Sequence, residues 1–298
     1  MSTPEVVVHK DRDLLAEAVA ARLVTRIVDS QSARGLAHIS LTGGTDGIKV
    51  LAVLNAAPSR DSIDWSTVHV WWGDDRYVAA DDPDRNEKQA REALLDHVPL
   101  RPEHVHPMPS TDSGLTSDEA AARYAEELKR HSRPEDHAEV PSFDVTLLGM
   151  GPDAHINSLF PQLPAVHETQ RWVVGVHGSP KPPPVRITLT FPAVQASREV
   201  WIIGDGEDRK GFGGHQHDHR LRLVLQPLQD LFERRVAPTG LFDEAMVAQR
   251  VRDTVHGASD PAPNDRLEPV HVCEESGVGR DDRMSDRVLG ARLDRRCN

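Results

Sequence analysis

The sequence predicts an α/β fold in which a mostly parallel, Rossmann-like sheet is covered by helices on both faces. Strand-like apolar runs alternate with amphipathic helical segments over about the first 210 of the 298 residues, which is typical of such sheets. Three of the strand-like runs end in glycine-rich or charged turns, after residues 41, 72 and 148. Because ligands bind at the carboxyl ends of parallel strands, these turns are the candidate functional positions.

The first four elements are predicted to be a strand, a helix, a strand and a helix. A β-branched run over Glu5 to His9 indicates the first strand, and apolar residues at helical spacing from Leu14 to Ile27 indicate the first helix. Ala37 to Leu41 is typical of a buried strand. The apolar spacing from Ile48 to Leu54 then predicts the second helix.

The later elements continue this alternation. A strand over Val68 to Trp72 is followed by a helix near Asn86 to Asp96, and Thr116 to Glu119 has the spacing of a capping box that begins another helix. Leu221 to Val251 retains enough apolar residues for helices. Four further strands are predicted at Phe143 to Leu148, Trp172 to Val176, Val185 to Leu189 and Val200 to Ile203.

The last part of the chain differs from the rest in composition. Past about Gly211, Lys, Trp and Tyr disappear while Arg, Asp and His remain plentiful, and hydrophobic periodicity is poor from His256 onward. We therefore divide the chain into an α/β domain over residues 1–210 and an atypical segment over 211–298. Two interpretations of that segment stay open: a flexible charged tail, or residues encoded by a shifted reading frame.

Composition and charge exclude several classes of protein. The chain has 38% hydrophobic and 28% charged residues, which indicates a globular protein rather than a disordered one. The formal net charge of −12 argues against a broad nucleic-acid surface. No signal peptide and no apolar run near the roughly 18 residues of a membrane span is apparent. Cys273 and Cys297 form no CxxC pair. We expect a cytoplasmic monomer.

Two turns are candidates for binding an anion. Thr42, Gly43 and Gly44 lie between a strand and a helix, where the backbone can approach a ligand and the helix N-terminus favours negative charge. Arg76 follows another strand end, and its fork of donors suits phosphate. The alternatives are a plain tight turn for the first and a surface salt-bridge loop for the second. Asp74 or Asp75 could orient Arg76 or a catalytic group.

His155 is the candidate general base. It follows the run Gly149-Met150-Gly151-Pro152-Asp153-Ala154 at a strand end, and a neutral imidazole there can take a proton from water near pH 7. Lys181 and Arg186 flank a Pro-rich turn and could clamp a phosphate, although a Pro-rich surface loop is the simpler interpretation. His215, His217 and His219 alternate as metal ligands can, but we predict no metal site there, because closed zinc sites need a fourth ligand and supporting contacts.

Together these segments resemble the 6-phosphogluconolactonase family, especially its actinobacterial forms. The matching pieces occur in family order over roughly the first 210 residues, and they are Leu41 to Gly44, Trp72 to Arg76 with Asp81 to Asn86, Leu147 to Pro161, and Pro180 to Thr190. The resemblance implies the fold shared by glucosamine-6-phosphate deaminase, ribose-5-phosphate isomerase and CoA transferases. It also implies hydrolysis of 6-phospho-D-glucono-1,5-lactone to 6-phosphogluconate, in the oxidative pentose phosphate pathway, without metal or redox cofactor.

The resemblance also assigns residues. It makes His155 the general base, with Asp153 and Asp75 in the catalytic set. The substrate, a small phosphorylated sugar lactone, would be bound by Thr42, Gly43, Gly44, Arg76, Asn86, Lys181 and Arg186. The chain departs from the family pattern at Ala154, where Gly is usual, and at Asp75, where Glu is common.

Two other functions remain open at this point. One is an amino-sugar phosphate deaminase/isomerase on the same fold, which would also use an Asp-x-His element. Ser158 to Pro161 favours the lactonase, because the deaminases carry a Phe-Asn-Glu-Pro type of sequence there. The other is a non-catalytic sugar-phosphate-binding relative with a damaged C-terminus, which Ala154 and the atypical tail favour.

Overall fold

The computed structural model describes residues 5–136, 138–151, 155–204 and 221–226. The predicted Asp153, the Ala154 departure and nearly all of the segment 211–298, with its histidines and cysteines, lie outside the described residues. The helices are α1 (Arg12–Arg34), α2 (Gly44–Ala56), α3 (Asn86–Ala93), α4 (Ser117–His131) and α5 (Phe191–Gln195). The strands are β1 (Glu5–His9), β2 (Ala37–Leu41), β3 (Val68–Trp72), β4 (Asp74–Arg76), β5 (Val145–Gly149), β6 (Val173–Val176), β7 (Arg186–Leu189), β8 (Val200–Gly204) and β9 (Leu221–Gln226).

The main sheet has six strands in the order β1-β9-β8-β5-β2-β3. Strands β8, β5, β2 and β3 run parallel to one another, with Ala37 paired to Val68 and Leu41 to Trp72 in the β2–β3 register. Strand β9 pairs antiparallel with both β1 and β8. The carboxyl ends of the four parallel strands therefore meet at one edge, as predicted.

The core confirms that helices cover both faces of this sheet. Successive side chains of a strand point to opposite faces. Trp72 accordingly belongs to the apolar cluster that includes α1 and α2 residues. Its neighbour Trp71 belongs to the cluster that includes α4 residues. The same division separates Leu147 from Leu148, so the predicted α/β fold class is confirmed.

A second, three-stranded antiparallel sheet was not predicted. Its order is β4-β7-β6, and it begins where the chain leaves the main sheet at Gly73. The Gly73 N–H donates to the Leu41 carbonyl at 3.0 Å, and its own carbonyl accepts from the Leu189 N–H at 2.8 Å. Gly73 thus bonds to both sheets, and this junction brings β4 and β7 beside the carboxyl edge.

Two helix boundaries show how local sequence sets the elements. Helix α1 begins after Asp11, whose side chain accepts from the Leu14 N–H at 2.9 Å, and ends at Gly35 with φ 78°. The predicted capping box of α4 is present, with reciprocal bonds between Thr116 and Glu119. Both devices satisfy N–H or C=O groups that a helix end leaves unpaired.

One element prediction was wrong. Residues 221–226, which we expected to begin a helical region, form strand β9. The alternation Leu-Arg-Leu-Val-Leu-Gln suits a strand, and pairing with β1 and β8 outweighs its local helix preference. The described sheet therefore extends beyond the predicted domain boundary at residue 210. Among the described residues, no helix has the length and apolar character that a bilayer crossing requires.

Candidate active site

The predicted site turns lie together at the carboxyl edge of the main sheet. Thr42, Gly73 and Gly149 end or follow β2, β3 and β5, which are neighbours in the sheet. The Thr42 hydroxyl accepts from the Gly149 N–H at 3.2 Å. The turn before α2 and the turn before the His155 loop are therefore held in direct contact.

Arg76 and Asn86 complete the floor of this edge. An Arg76 Nη1 donates to Asn86 Oδ1, and a Cβ placed on Gly43 would lie only 1.8 Å from that same oxygen. Gly43 has φ −83°, so the close approach of Asn86, not backbone strain, requires glycine there. Gly44 is the residue that needs left-handed freedom, with φ 79°.

The Arg76 guanidinium retains an unused donor. Its Nε is buried and has no hydrogen-bond partner among the described residues. A guanidinium carries five N–H donors, and an unsatisfied buried donor costs roughly 1–3 kcal/mol. An anion at the mouth of the site would supply the acceptor that the protein does not.

Asp75 is buried beneath this floor with both oxygens engaged. Oδ1 accepts from the backbone N–H of Arg76 and of Asn86, each at 2.8 Å, and Oδ2 lies 3.4 Å from Arg85 Nη2. Burial raises the pKa of Asp75 to about 6, although Arg85 and the two N–H groups act in the opposite direction. These contacts favour the orienting role that the local residues suggested for Asp75 over the catalytic role that the family resemblance implied.

Asp74 links this floor to the loop that carries His155. The Ser158 hydroxyl donates to Asp74 Oδ2 at 2.6 Å, and Asn86 Nδ2 donates to the Asp74 carbonyl at 2.8 Å. Because Ser158 is three residues from His155, Asp74 ties the position of the histidine loop to α3 and to Arg76.

His155 is half-buried and follows β5 in the chain. Its carbonyl accepts from the Gly151 N–H at 3.0 Å. Its ring stacks on Phe160, with centroids 4.4 Å apart and an interplanar angle of 28°. The aromatic contact fixes one face of the imidazole and leaves the ring partly accessible, as a proton acceptor requires.

Asn157 is a site residue that the sequence reasoning missed. It has φ 49°, and both polar atoms of its buried amide lack a partner among the described residues. It packs so closely on Gly73 that a Cβ there would lie 2.4 Å from Asn157 Oδ1. Asn is one of the few non-glycine residues that adopt this conformation readily. Its place two residues after His155 was the available signal.

Arg186 organises the Pro-rich loop rather than facing outward. It is buried, its Nε donates to the Pro183 carbonyl at 3.2 Å, and its Nη2 donates to the Lys181 and Pro182 carbonyls at 3.1 Å. Burial lowers the pKa of Arg186, while Asp74 raises it. These contacts favour a loop-holding role over the predicted phosphate clamp. Lys181 is half-buried in the loop that Arg186 holds.

The chain is similar to known proteins of one family. Residues 10–215 match the family described as glucosamine-6-phosphate isomerases/6-phosphogluconolactonase. The chain belongs to this family. It is 58% identical over 209 residues to a 6-phosphogluconolactonase of Streptomyces coelicolor, covering 70% of this chain and 80% of the relative. It is 52% identical over 201 residues to a 6-phosphogluconolactonase of Mycobacterium tuberculosis, and the alignment covers 67% of this chain and 80% of that relative.

Solved structures of the family share the fold. The 6-phosphogluconolactonase from Trypanosoma cruzi aligns with a TM-score of 0.61 at 26% identity, covering 70% of this chain and 83% of that one. The enzyme from Trypanosoma brucei aligns with a TM-score of 0.58 at 28% identity, covering 70% and 87%. The family resemblance inferred from the residues is thus confirmed.

Proposed function

We propose that this chain hydrolyses 6-phospho-D-glucono-1,5-lactone to 6-phosphogluconate, the lactone-opening step of the oxidative pentose phosphate pathway. Relatives named 6-phosphogluconolactonase share more than half of its residues over the aligned region. The observation that carries the proposal is the contact network at one sheet edge. It joins the Thr42–Gly43 turn, Asn86, Arg76 and the loop of His155.

The phosphate of the substrate is proposed to bind at Arg76. Its buried Nε, which has no partner in the part of the chain that the structure describes, supplies one donor, and the N–H groups at the start of α2, beside Gly43 and Gly44, supply others. A helix N-terminus and an arginine fork both favour an anion. Thr42 and Asn86 shape this end of the pocket, and Lys181 adds a cation from the Pro-rich loop.

His155 is proposed as the general base. It takes a proton from water, and the resulting hydroxide attacks the C1 carbonyl to give a tetrahedral oxyanion. The bond from C1 to the ring oxygen then breaks, and His155 returns the proton to that oxygen. Asp153 is the proposed partner that orients the imidazole. General-base catalysis contributes typically 10²–10⁴-fold, which suits a lactone that already hydrolyses slowly in water.

The oxyanion needs hydrogen-bond donors. The buried Asn157 amide, two residues from His155, has no partner within the described ranges, and the backbone N–H groups around Gly43 and Gly44 lie in the adjoining turn. One such donor contributes about 3–4 kcal/mol to the stability of a transition state in well-studied hydrolases. We assign Asn157 Nδ2 to this role.

The test is an assay with purified protein and freshly generated 6-phosphogluconolactone, run beside glucosamine 6-phosphate and beside thermal unfolding with 6-phosphogluconate. Rapid lactone hydrolysis with no deamination supports the proposal. Deamination of glucosamine 6-phosphate would replace it with the isomerase activity. Thermal stabilisation without turnover of either substrate would replace it with non-catalytic binding. A cytoplasmic monomer remains the sequence-based prediction, and size-exclusion chromatography tests its oligomeric part.

A further inference from the structure

Five histidines gather at the other edge of the main sheet, away from the proposed active site. We call His38, His69, His104, His106 and His131 the histidine cluster. His38 lies near the start of β2, four residues before Thr42, and His69 near the start of β3. With a rise of about 3.3 Å per strand residue, four residues separate the two edges by roughly 13 Å. Catalysis at the carboxyl edge therefore leaves the cluster unexplained.

Three members of the cluster converge on a point. The nearest ring nitrogens of His69, His106 and His131 all lie within 4.8 Å of one another. His69 Nδ1 is 3.0 Å from His106 Nε2, and the His106 and His131 ring centroids are 4.4 Å apart. Tetrahedral Zn²⁺ with Zn–N bonds of about 2.0–2.1 Å places its nitrogens roughly 3.3 Å apart. Small ring rotations would bring the three nitrogens to that spacing.

The hydrogen bonds of the cluster indicate which nitrogens carry protons. His131 Nδ1 is 3.0 Å from the Glu127 carbonyl. A carbonyl only accepts, so Nδ1 carries the hydrogen and Nε2 of the neutral ring keeps its lone pair. His106 Nδ1 is 3.1 Å from Glu127 Oε1, which likewise leaves its Nε2 as a lone pair directed at His69. A carboxylate holding the far nitrogen of an imidazole is the usual support of a metal-binding histidine.

Glu127 is the carboxylate in contact with His106 and His131, while Arg130 bonds to Glu127 from the solvent side.

We propose that His69, His106 and His131 bind a divalent transition-metal ion of the zinc class, with the Glu127 carboxylate orienting His106. Three imidazole nitrogens suit Zn²⁺, Co²⁺, Ni²⁺ or Cu²⁺ rather than Mg²⁺ or Ca²⁺. Water or His104 fills the fourth position. His104 stacks on His69 at 3.9 Å, and its buried Nδ1 has no partner among the described residues. The ion would join β3, the segment 104–106 and the end of α4, which makes it a structural ion.

The alternative is a metal-free stack in which the His69 Nδ1–H donates to His106 Nε2. The experiment uses the full chain with the C-terminal zinc-binding side chains replaced, so that they cannot bind the ion: His215, His217, His219, His256 and His271 by Gln, and Cys273 and Cys297 by Ser. After chelation, Zn²⁺ is titrated by calorimetry and by thermal unfolding. We expect one Zn²⁺ per chain and a raised Tm. Co²⁺ in place of Zn²⁺ should give the visible absorption bands of a nitrogen-rich four-coordinate site.

Matched substitutions on α4 locate the ion. Glu127→Gln should weaken Zn²⁺ binding about 10–100-fold, whereas the exposed neighbour Glu126→Gln should leave it unchanged. His131→Gln should weaken binding further, and circular dichroism without metal checks that each variant folds. Absence of stoichiometric Zn²⁺ binding to the folded chain would overturn the proposal. So would equal affinities of the Glu127→Gln and Glu126→Gln variants, because Glu127 would then have no part in the site.

Discussion

The two edges of one parallel sheet are built by different kinds of sequence. At the carboxyl edge the site groups come from short contiguous runs, 42–44, 73–76 and 149–157, each attached to the end of a strand. At the amino edge the histidine cluster draws its five residues from four separate places between residues 38 and 131. The first edge is encoded locally, and the second exists only because the fold brings distant residues together.

The edges also differ in electrostatics. The carboxyl edge presents a guanidinium with an unused donor and the N-terminus of α2, so it favours an anion. The amino edge buries neutral imidazoles whose pKa values are lowered, so it offers lone pairs to a cation. An anionic substrate at one edge and a metal cation at the other are the ligands that these surroundings favour.

The largest expected effect is at His155. His155→Ala should lower kcat by about 10²–10⁴-fold, because the proton acceptor is lost, while circular dichroism and Tm remain near wild type. The exposed His97→Ala serves as the matched control and should keep full activity. Near-normal turnover of the lactone by folded His155→Ala would remove His155 from the mechanism.

The second-largest expected effect is at Arg76, and it separates substrate binding from catalysis. Arg76→Ala should raise KM for the lactone about 10–100-fold, with a smaller change in kcat, because a charge-assisted hydrogen bond contributes about 1.5–3 kcal/mol. Initial rates over a range of lactone concentrations measure both parameters. An unchanged KM would show that the phosphate binds elsewhere, with Lys181 as the next candidate.

The comparison of the two edges shows which parts of the fold and of the site the sequence could predict. The alternation of strands and helices and the turns at Thr42, Arg76 and His155 were evident from local patterns and confirmed as elements of one edge. The second, three-stranded sheet could not be predicted, because it depends on hydrogen bonds from Gly73 to both Leu41 and Leu189. Strand β9 was mistaken for helix, because it is stabilised by pairing with β1 and β8, which are not its neighbours in sequence.

Side-chain roles were the least predictable part. The local residues allowed an orienting role for Asp75, but the family resemblance gave Asp75 a catalytic role and Arg186 a substrate-binding role. Their burial and their bonds to backbone groups favour positioning instead. Asn157 was overlooked because its place two residues after His155 was the available signal, whereas its φ and the lack of a partner for its amide among the described residues are evident only in the structure. Burial and unsatisfied donors are properties of packing, which no local pattern contains.

A pair of glycine substitutions sharpens the contrast between site and scaffold. Gly43→Ala would place a Cβ 1.8 Å from Asn86 Oδ1, displacing the partner of Arg76, so kcat/KM should fall about 10-fold, the change for about 1.4 kcal/mol. Gly35 has φ 78° with open space around it. Gly35→Ala should therefore cost about 1 kcal/mol of stability and leave kcat/KM unchanged. If Gly43→Ala lost only stability, the close contact with Asn86 would have no part in the site.

The smallest expected effect tests the amino edge by pH. A histidine whose folded pKa is about 3 and unfolded pKa about 6.5 binds more protons when unfolded between those values. Its contribution to stability is therefore complete above pH 6.5 and is lost as pH falls toward 3. Asp75 changes the stability with the opposite sign, because its folded pKa is raised to about 6.

Wild type and the His106→Gln variant both contain Asp75, so the difference between their pH-dependent stabilities reports on His106. With chelator present, urea unfolding at pH 7 and pH 5 should show that His106→Gln loses less stability than wild type. Equal losses would mean that His106 is solvated and protonates as it does in the unfolded chain, and the contrast in burial between the two edges would then fail.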